Sequence, residues 1–100
     1  MAVFTSEKGK LYIDGNKIIK GWESFTGMYW FAIRIAWKQD SIIKGKEYPD
    51  DTIFYGLVQG DVEEYGNFSL AELNLGKPLV WKIPNKNLSW SGRRTPREVL

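Results

Sequence analysis

A chain of 100 residues with 43% hydrophobic and 15% aromatic content has enough apolar surface for one core and too much for a disordered segment. Cysteine and histidine are both absent, which excludes disulfides, thiolate chemistry, sulfur- or imidazole-held metals and the usual general base near neutral pH. The formal net charge of +2 does not by itself announce nucleic acid, and it argues against an acidic mimic of DNA.

The first ten residues hold no apolar run resembling a secretion signal, and the longest apolar stretch, 28–36, is broken by Arg34. A cytoplasmic, non-membrane protein is expected. Residues 10–13 and 17–23 flank Asp14-Gly15-Asn16, in which the glycine accepts positive φ and the aspartate bonds its own backbone, so a hairpin is predicted there. A strand follows over 28–38. Strict alternation puts Tyr29, Phe31, Ile33, Ile35 and Trp37 on one side and Met28, Trp30, Ala32, Arg34, Ala36 and Lys38 on the other.

Residues 39–51 are polar and contain Gly45, Pro49 and Asp50-Asp51, which predicts a long connection. Residues 52–59 are apolar on both faces and suit a central strand, with Gly56 marking a bulge or a close backbone approach. An acidic, solvated turn is expected over 60–66, then a short strand at Asn67-Phe68. Ser69-Leu70-Ala71-Glu72 has the form of a capping box, and Phe68 and Leu73 have the spacing of a hydrophobic staple. With Gly76 and Pro78 as stop signals, one short helix is predicted over 70–75. A further strand is expected over 79–83, ended or put on an edge by Pro84.

From Asn85 the tail is polar and basic, with Leu88, Trp90, Val99 and Leu100 as its anchors and a second capping box at Thr95-Pro96-Arg97-Glu98. The predicted fold is α+β: one β-rich domain over 1–100, a mainly antiparallel twisted sheet of about five or six strands, one short helix near 70–75 and a loosely packed basic tail over 85–100. The expected core is Trp37, Phe31, Ile33, Ile35, Phe54, Val58, Phe68, Leu70 and Leu73.

Two segments carry a resemblance. Phe54-Tyr55-Gly56-Leu57-Val58-Gln59-Gly60 and Glu64-Tyr65-Gly66-Asn67-Phe68-Ser69-Leu70-Ala71-Glu72-Leu73 are similar to the FFGLV-x-G and ELGYFSL-x-EL signature of a small uncharacterised family carried by plasmids, conjugative elements and phages. Met28-Tyr29-Trp30-Phe31-Ala32, Asn87-Leu88-Ser89-Trp90 and Thr95-Pro96 extend it, with Lys86-Asn87 where the family has Arg-Asp. The resemblance implies an accessory protein of a mobile element and carries no mechanism with it.

Catalytic and ligand signals are weak. Asp61, Glu63, Glu64 and Glu72 lie close in sequence, but Glu72 already has a task in the capping box and turns are acidic for solvation alone. Gly56, Gly60 and Gly66 do not form a phosphate-binding loop. The expectation is a non-enzyme with no metal and no cofactor. It is a binding module that engages a host or element protein, or sequesters a small nucleotide, as a counter-defence factor; the alternative is a single-stranded nucleic-acid-binding protein using aromatic and basic side chains. The candidate partner-binding residues are Trp30, Arg34 and Lys38, at every fourth position of the predicted strand and opposite its core face. The competing reading is that the helix, the tail or a second copy of the chain covers that face.

Overall fold

The computed structural model describes residues 2–83. The expectations for the tail 85–100, including its anchors and second capping box, lie outside the described residues. Strands β1 (Phe4–Glu7), β2 (Lys10–Ile13) and β3 (Asn16–Lys17) form a small antiparallel sheet. Strands β4 (Lys20–Ser24), β5 (Tyr29–Ile43), β6 (Lys46–Gln59), β7 (Glu63–Ser69) and β8 (Val80–Lys82) form a larger one in the order β7-β6-β5-β4-β8, antiparallel throughout. The single helix α1 (Leu70–Leu75) follows β7 directly. The fold is therefore α+β, as expected, with a second sheet that the sequence did not announce.

The first hairpin turns on Asp14 and Gly15, both at positive φ (+49° and +83°), with Ile13 opposite Asn16. That is the primed two-residue turn whose twist matches antiparallel strands. The strand predicted over 17–23 is divided, because the chain changes sheets inside it. Ile18 N–H donates to Leu11 O in the small sheet, and the next amide, of Ile19, donates to Ala32 O in the large one.

This switch layers the molecule. Leu11, Ile13 and Ile18 bury one face of the large sheet at Tyr29, Phe31, Leu57 and Ile83. On the opposite face Leu73 of α1 packs on Trp22, Ala32 and Phe54, joined by half-buried Trp30, Phe68, Leu70 and Val80. Phe68 and Leu73 meet there as the staple spacing requires. Between these layers β5 and β6 run so close at Gly56 that a Cβ would lie 1.9 Å from Phe31 O. Only glycine fits that approach.

Beyond Ala32 the pattern breaks. The β5–β6 register shifts between Ala32 and Arg34, between Ile35 and Trp37, and between Gln39 and Ser41. Each bulge inserts residues that have no opposite number and reverses the faces that follow. The expected core is corrected: the first shift turns Ile35 away from the face of Phe31, and the second returns Trp37 to that face beyond the reach of the small sheet. Phe31, Phe54 and Leu73 are buried, but Ile35 and Trp37 are 54% and 47% exposed, and Ile33, Val58, Phe68 and Leu70 are half-buried.

Two further expectations are also corrected. Residues 39–51 are not a loop: β5 and β6 continue through them to a turn at Lys44-Gly45, with φ of +52° and +78°. The acidic segment is mostly strand. β7 already starts at Glu63, whose carboxylate accepts from Ala2 N–H at 2.6 Å and from Gln59 Nε2 at 3.0 Å.

Candidate functional site

The three residues singled out from the sequence do not share a surface. Trp30 lies opposite Val58, Lys38 opposite Thr52 and Arg34 opposite Tyr55. Residues 58 and 52 are an even number apart on β6 and 55 is not, so the bulge after Ala32 sends Arg34 to the other face. Trp30 packs half-buried against the cluster under α1. Lys38 is exposed and pairs with Asp50 at 3.6 Å.

What the register does bring together is a second group, on the part of the large sheet that the small sheet leaves uncovered. Arg34 holds its guanidinium carbon 4.5 Å from the centre of the Tyr55 ring. Tyr55 stacks in turn on Tyr65, with ring centres 5.9 Å apart and planes at 16°. The Tyr65 hydroxyl donates to Asp14 Oδ2 at 2.6 Å, tying β7 to the turn of the small sheet. Burial and this hydrogen bond push the Tyr65 phenol well above its ordinary value. Asp14 is held below the usual carboxylate value by the Tyr65 hydroxyl and by the Val3 N–H.

Trp37 stands on the same face, opposite Ile53, and a chain of hydrogen bonds fixes its orientation. Its indole N–H donates to Gln39 Oε1 at 2.8 Å, Gln39 Nε2 donates to Ser41 Oγ at 3.0 Å, and Ser41 Oγ donates to Asp51 Oδ2 at 2.7 Å. Asp51, only 5% exposed, also accepts the Ser69 hydroxyl and, at 2.9 Å, the Ala71 N–H in the first turn of α1. Burial raises the Asp51 pKa, but the hydroxyls of Ser69 and Ser41 and the amides of Ala71 and Thr52 outweigh it, and the carboxyl stays below its ordinary value.

The expected capping box is therefore only half present. Ser69 Oγ accepts the Glu72 N–H at 3.2 Å, as predicted. Among the described residues no hydrogen bond returns from the Glu72 carboxylate to the Ser69 amide, and Asp51 serves the helix start from a distant strand instead. Past Gln39 the face continues into a groove of about 270 Å³ lined by Gln39, Ser41, Ile53, Asn67, Ser69 and Glu72.

Chemically, this face offers rings, one guanidinium, amides and hydroxyls. The four acids noted in the sequence do not converge. Glu63 is engaged with Ala2 and Gln59, Glu64 faces the other side opposite Val58, and Glu72 is exposed on α1. Among the described residues no group of three or more His, Cys, Asp or Glu side chains is placed to hold a metal ion. Sequence reasoning missed Trp37, Tyr55, Tyr65 and Asp51 as members of a site. The available signal was Gln39 and Ser41 alternating after Trp37, which marks a strand still running where a loop was expected. Comparison with family models, with curated proteins and with solved structures gives no match to this chain.

Proposed function

We propose that this protein is a non-catalytic binding module that engages a partner protein through Arg34, Trp37, Tyr55 and Tyr65 on the uncovered face of its large sheet. The observation that carries this reading is Trp37, which is 47% exposed yet tethered through its indole N–H to Gln39 and so to buried Asp51. A large ring held rigid at the surface loses little conformational entropy on binding, and Trp, Tyr and Arg are the residue types that dominate protein–protein hot spots. The resemblance of 54–60 and 64–73 to proteins of plasmids, conjugative elements and phages supports a host or element protein as the partner, with a counter-defence role in the cytoplasm.

The test compares capture from host lysate by the wild type with capture by Trp37→Ala and Arg34→Ala. A specific protein retained by the wild type and lost with both variants, at nearly unchanged thermal midpoints, supports the reading. Retention by both variants overturns it. A second reading, binding of nucleotides or single-stranded nucleic acid, is favoured by the Arg34–Tyr55–Tyr65 stack. Titration with a nucleotide and with oligothymidylate across a range of salt separates the two, because neutralised phosphates give a steep salt dependence. Lys38 lies on the opposite face from Arg34, so a shallow slope is expected.

A further inference from the structure

The outer edge of β5 is open over much of its length. Strand β4 pairs with β5 only as far as Lys20 opposite Ala32, and the last bond between them is Ile19 N–H to Ala32 O. Before Ile19 the chain belongs to the small sheet, so the neighbour of β5 ends there. Over residues 33–43 β5 is bonded to β6 on one side, and among the described residues no strand pairs with its other side. A row of main-chain N–H and C=O groups without a ladder partner is a template for one more strand.

The side chains along this edge indicate what kind of strand. Ile35, Trp37 and Ile42 are 54%, 47% and 75% exposed. Arg34, and Lys44 just past the end of the strand, are positive and make no ion pair among the described residues, whereas Lys38 is paired with Asp50 at 3.6 Å and the Oδ1 of Asp40 already accepts the Asp50 N–H. Arg34 and Trp37, the principal residues of the proposed binding face, are themselves on β5. Edge and face are continuous.

We infer that the partner binds by β-augmentation, laying an extended segment of alternating apolar and acidic residues along residues 33–43 of β5. This rests on the protein-binding reading above. Main-chain hydrogen bonds hold the added strand, and alternate side chains meet Ile35 on one face and Arg34 and Trp37 on the other. The two bulges of β5, at Ile33 and Ala36, and the shift between Gln39 and Ser41, whose extra residue is on β6, break the row into short runs, so indiscriminate stacking of flat, regular edges is discouraged.

The experiment uses full-length protein and three fluorescent ten-residue peptides: alternating Val and Glu, alternating Val and Lys, and the Glu peptide with two central prolines. Anisotropy reads affinity and hydrogen exchange reads the amides of residues 33–43. The expected result is binding of the Glu peptide about tenfold tighter than the Lys peptide, no binding of the proline peptide, and slowed exchange over 33–43 in the complex. Arg34→Glu should invert the charge preference. Three results overturn the inference: slow exchange over 33–43 in the free monomer, which gives the edge to the chain's own residues; protection that rises with protein concentration alongside a dimer in sedimentation, which gives it to a second copy; or absence of the peptide preferences. If Trp37→Ala still abolishes capture while the peptides do not bind, the strand inference fails and the binding face stands. If capture ignores Trp37 and Arg34, the face fails as well.

Discussion

Residues 29–32 and residues 33–43 belong to one strand, with one alternating pattern running through both as far as Lys38, yet they end in opposite surroundings. The first stretch has β4 and β6 on its two sides, Tyr29 and Phe31 under the small sheet, and Trp30 and Ala32 under α1. The second keeps β6 but loses β4, and it carries three register shifts. Alternation therefore predicts a face only while the register is unbroken. Burial is decided by how far the covering layers reach, and both end close to Ala32.

The largest expected effect tests the covered stretch. Phe31 is fully buried, in edge contact with Phe4 and stacked with Tyr29 at a ring separation of 5.8 Å. Phe31→Ala should cost about 3–5 kcal/mol, lost transfer energy plus the cavity left between two sheets that cannot collapse into it. Denaturant unfolding measures it. A loss below about 1 kcal/mol would mean that the small sheet does not cover this face.

Asp51 tests how the projecting stretch is held to the rest. Asp51→Ala leaves the hydroxyls of Ser41 and Ser69 and the Ala71 N–H without their acceptor, and should cost about 2–3 kcal/mol. Its pH dependence has a definite sign. The folded-state carboxyl titrates below the ordinary 3.8, so on acidification the unfolded chain takes up the proton first and stability rises with pH in that range. The contribution is complete above the unfolded value and is lost as pH falls below 3.8 through the folded one. Thermal midpoints measured across that range should show the gap between wild type and Asp51→Asn narrowing towards acid. A gap independent of pH would show that the carboxyl titrates alike in the folded and unfolded chain, and a gap widening towards acid would show that the fold keeps it protonated.

Ser69→Ala comes next, at about 1–2 kcal/mol. It removes the acceptor of the Glu72 N–H and a donor to Asp51 together. Combining it with Asp51→Ala should give much less than the sum, because the two share one network. Additivity within about 0.5 kcal/mol would separate the helix cap from the carboxylate.

The same contrast explains what was legible in the sequence. Turn chemistry and caps are local, so Asp14-Gly15, Ser69 and the length of α1 could be placed from a few neighbouring residues. Gly56 was legible as either a bulge or a close backbone approach, and the 1.9 Å from a Cβ there to Phe31 O makes it the second. Bulges leave no such mark. Nothing in the sequence around Ile33 or Ala36 distinguishes an inserted residue from a paired one, yet each insertion reversed the faces beyond it. Trp30, Arg34 and Lys38 therefore read as one surface, while Arg34, Trp37, Tyr55 and Tyr65 came together only through long-range register. Asp51 was hidden for a related reason: its partners at 41, 69 and 71 are remote in sequence, and Pro49 and Asp50 beside it imitate a loop.

The smallest expected effect is the one that separates binding from packing. Trp37→Ala deletes the largest side chain of the projecting stretch, but the ring is 47% exposed and its N–H can be replaced at Gln39 by water. Its stability cost should stay below about 1 kcal/mol, against the 3–5 kcal/mol expected at Phe31 on the same strand. Two effects compete in that estimate. Loss of the half-buried side of the ring destabilises the hairpin, whereas removal of exposed apolar surface has little consequence for the folded state alone. A cost near that of Phe31→Ala would place Trp37 in the protein's own core and remove the reason for regarding it as a binding residue. A small cost with partner capture abolished would show that an indole fixed by Gln39, Ser41 and Asp51 is kept for contact with another molecule.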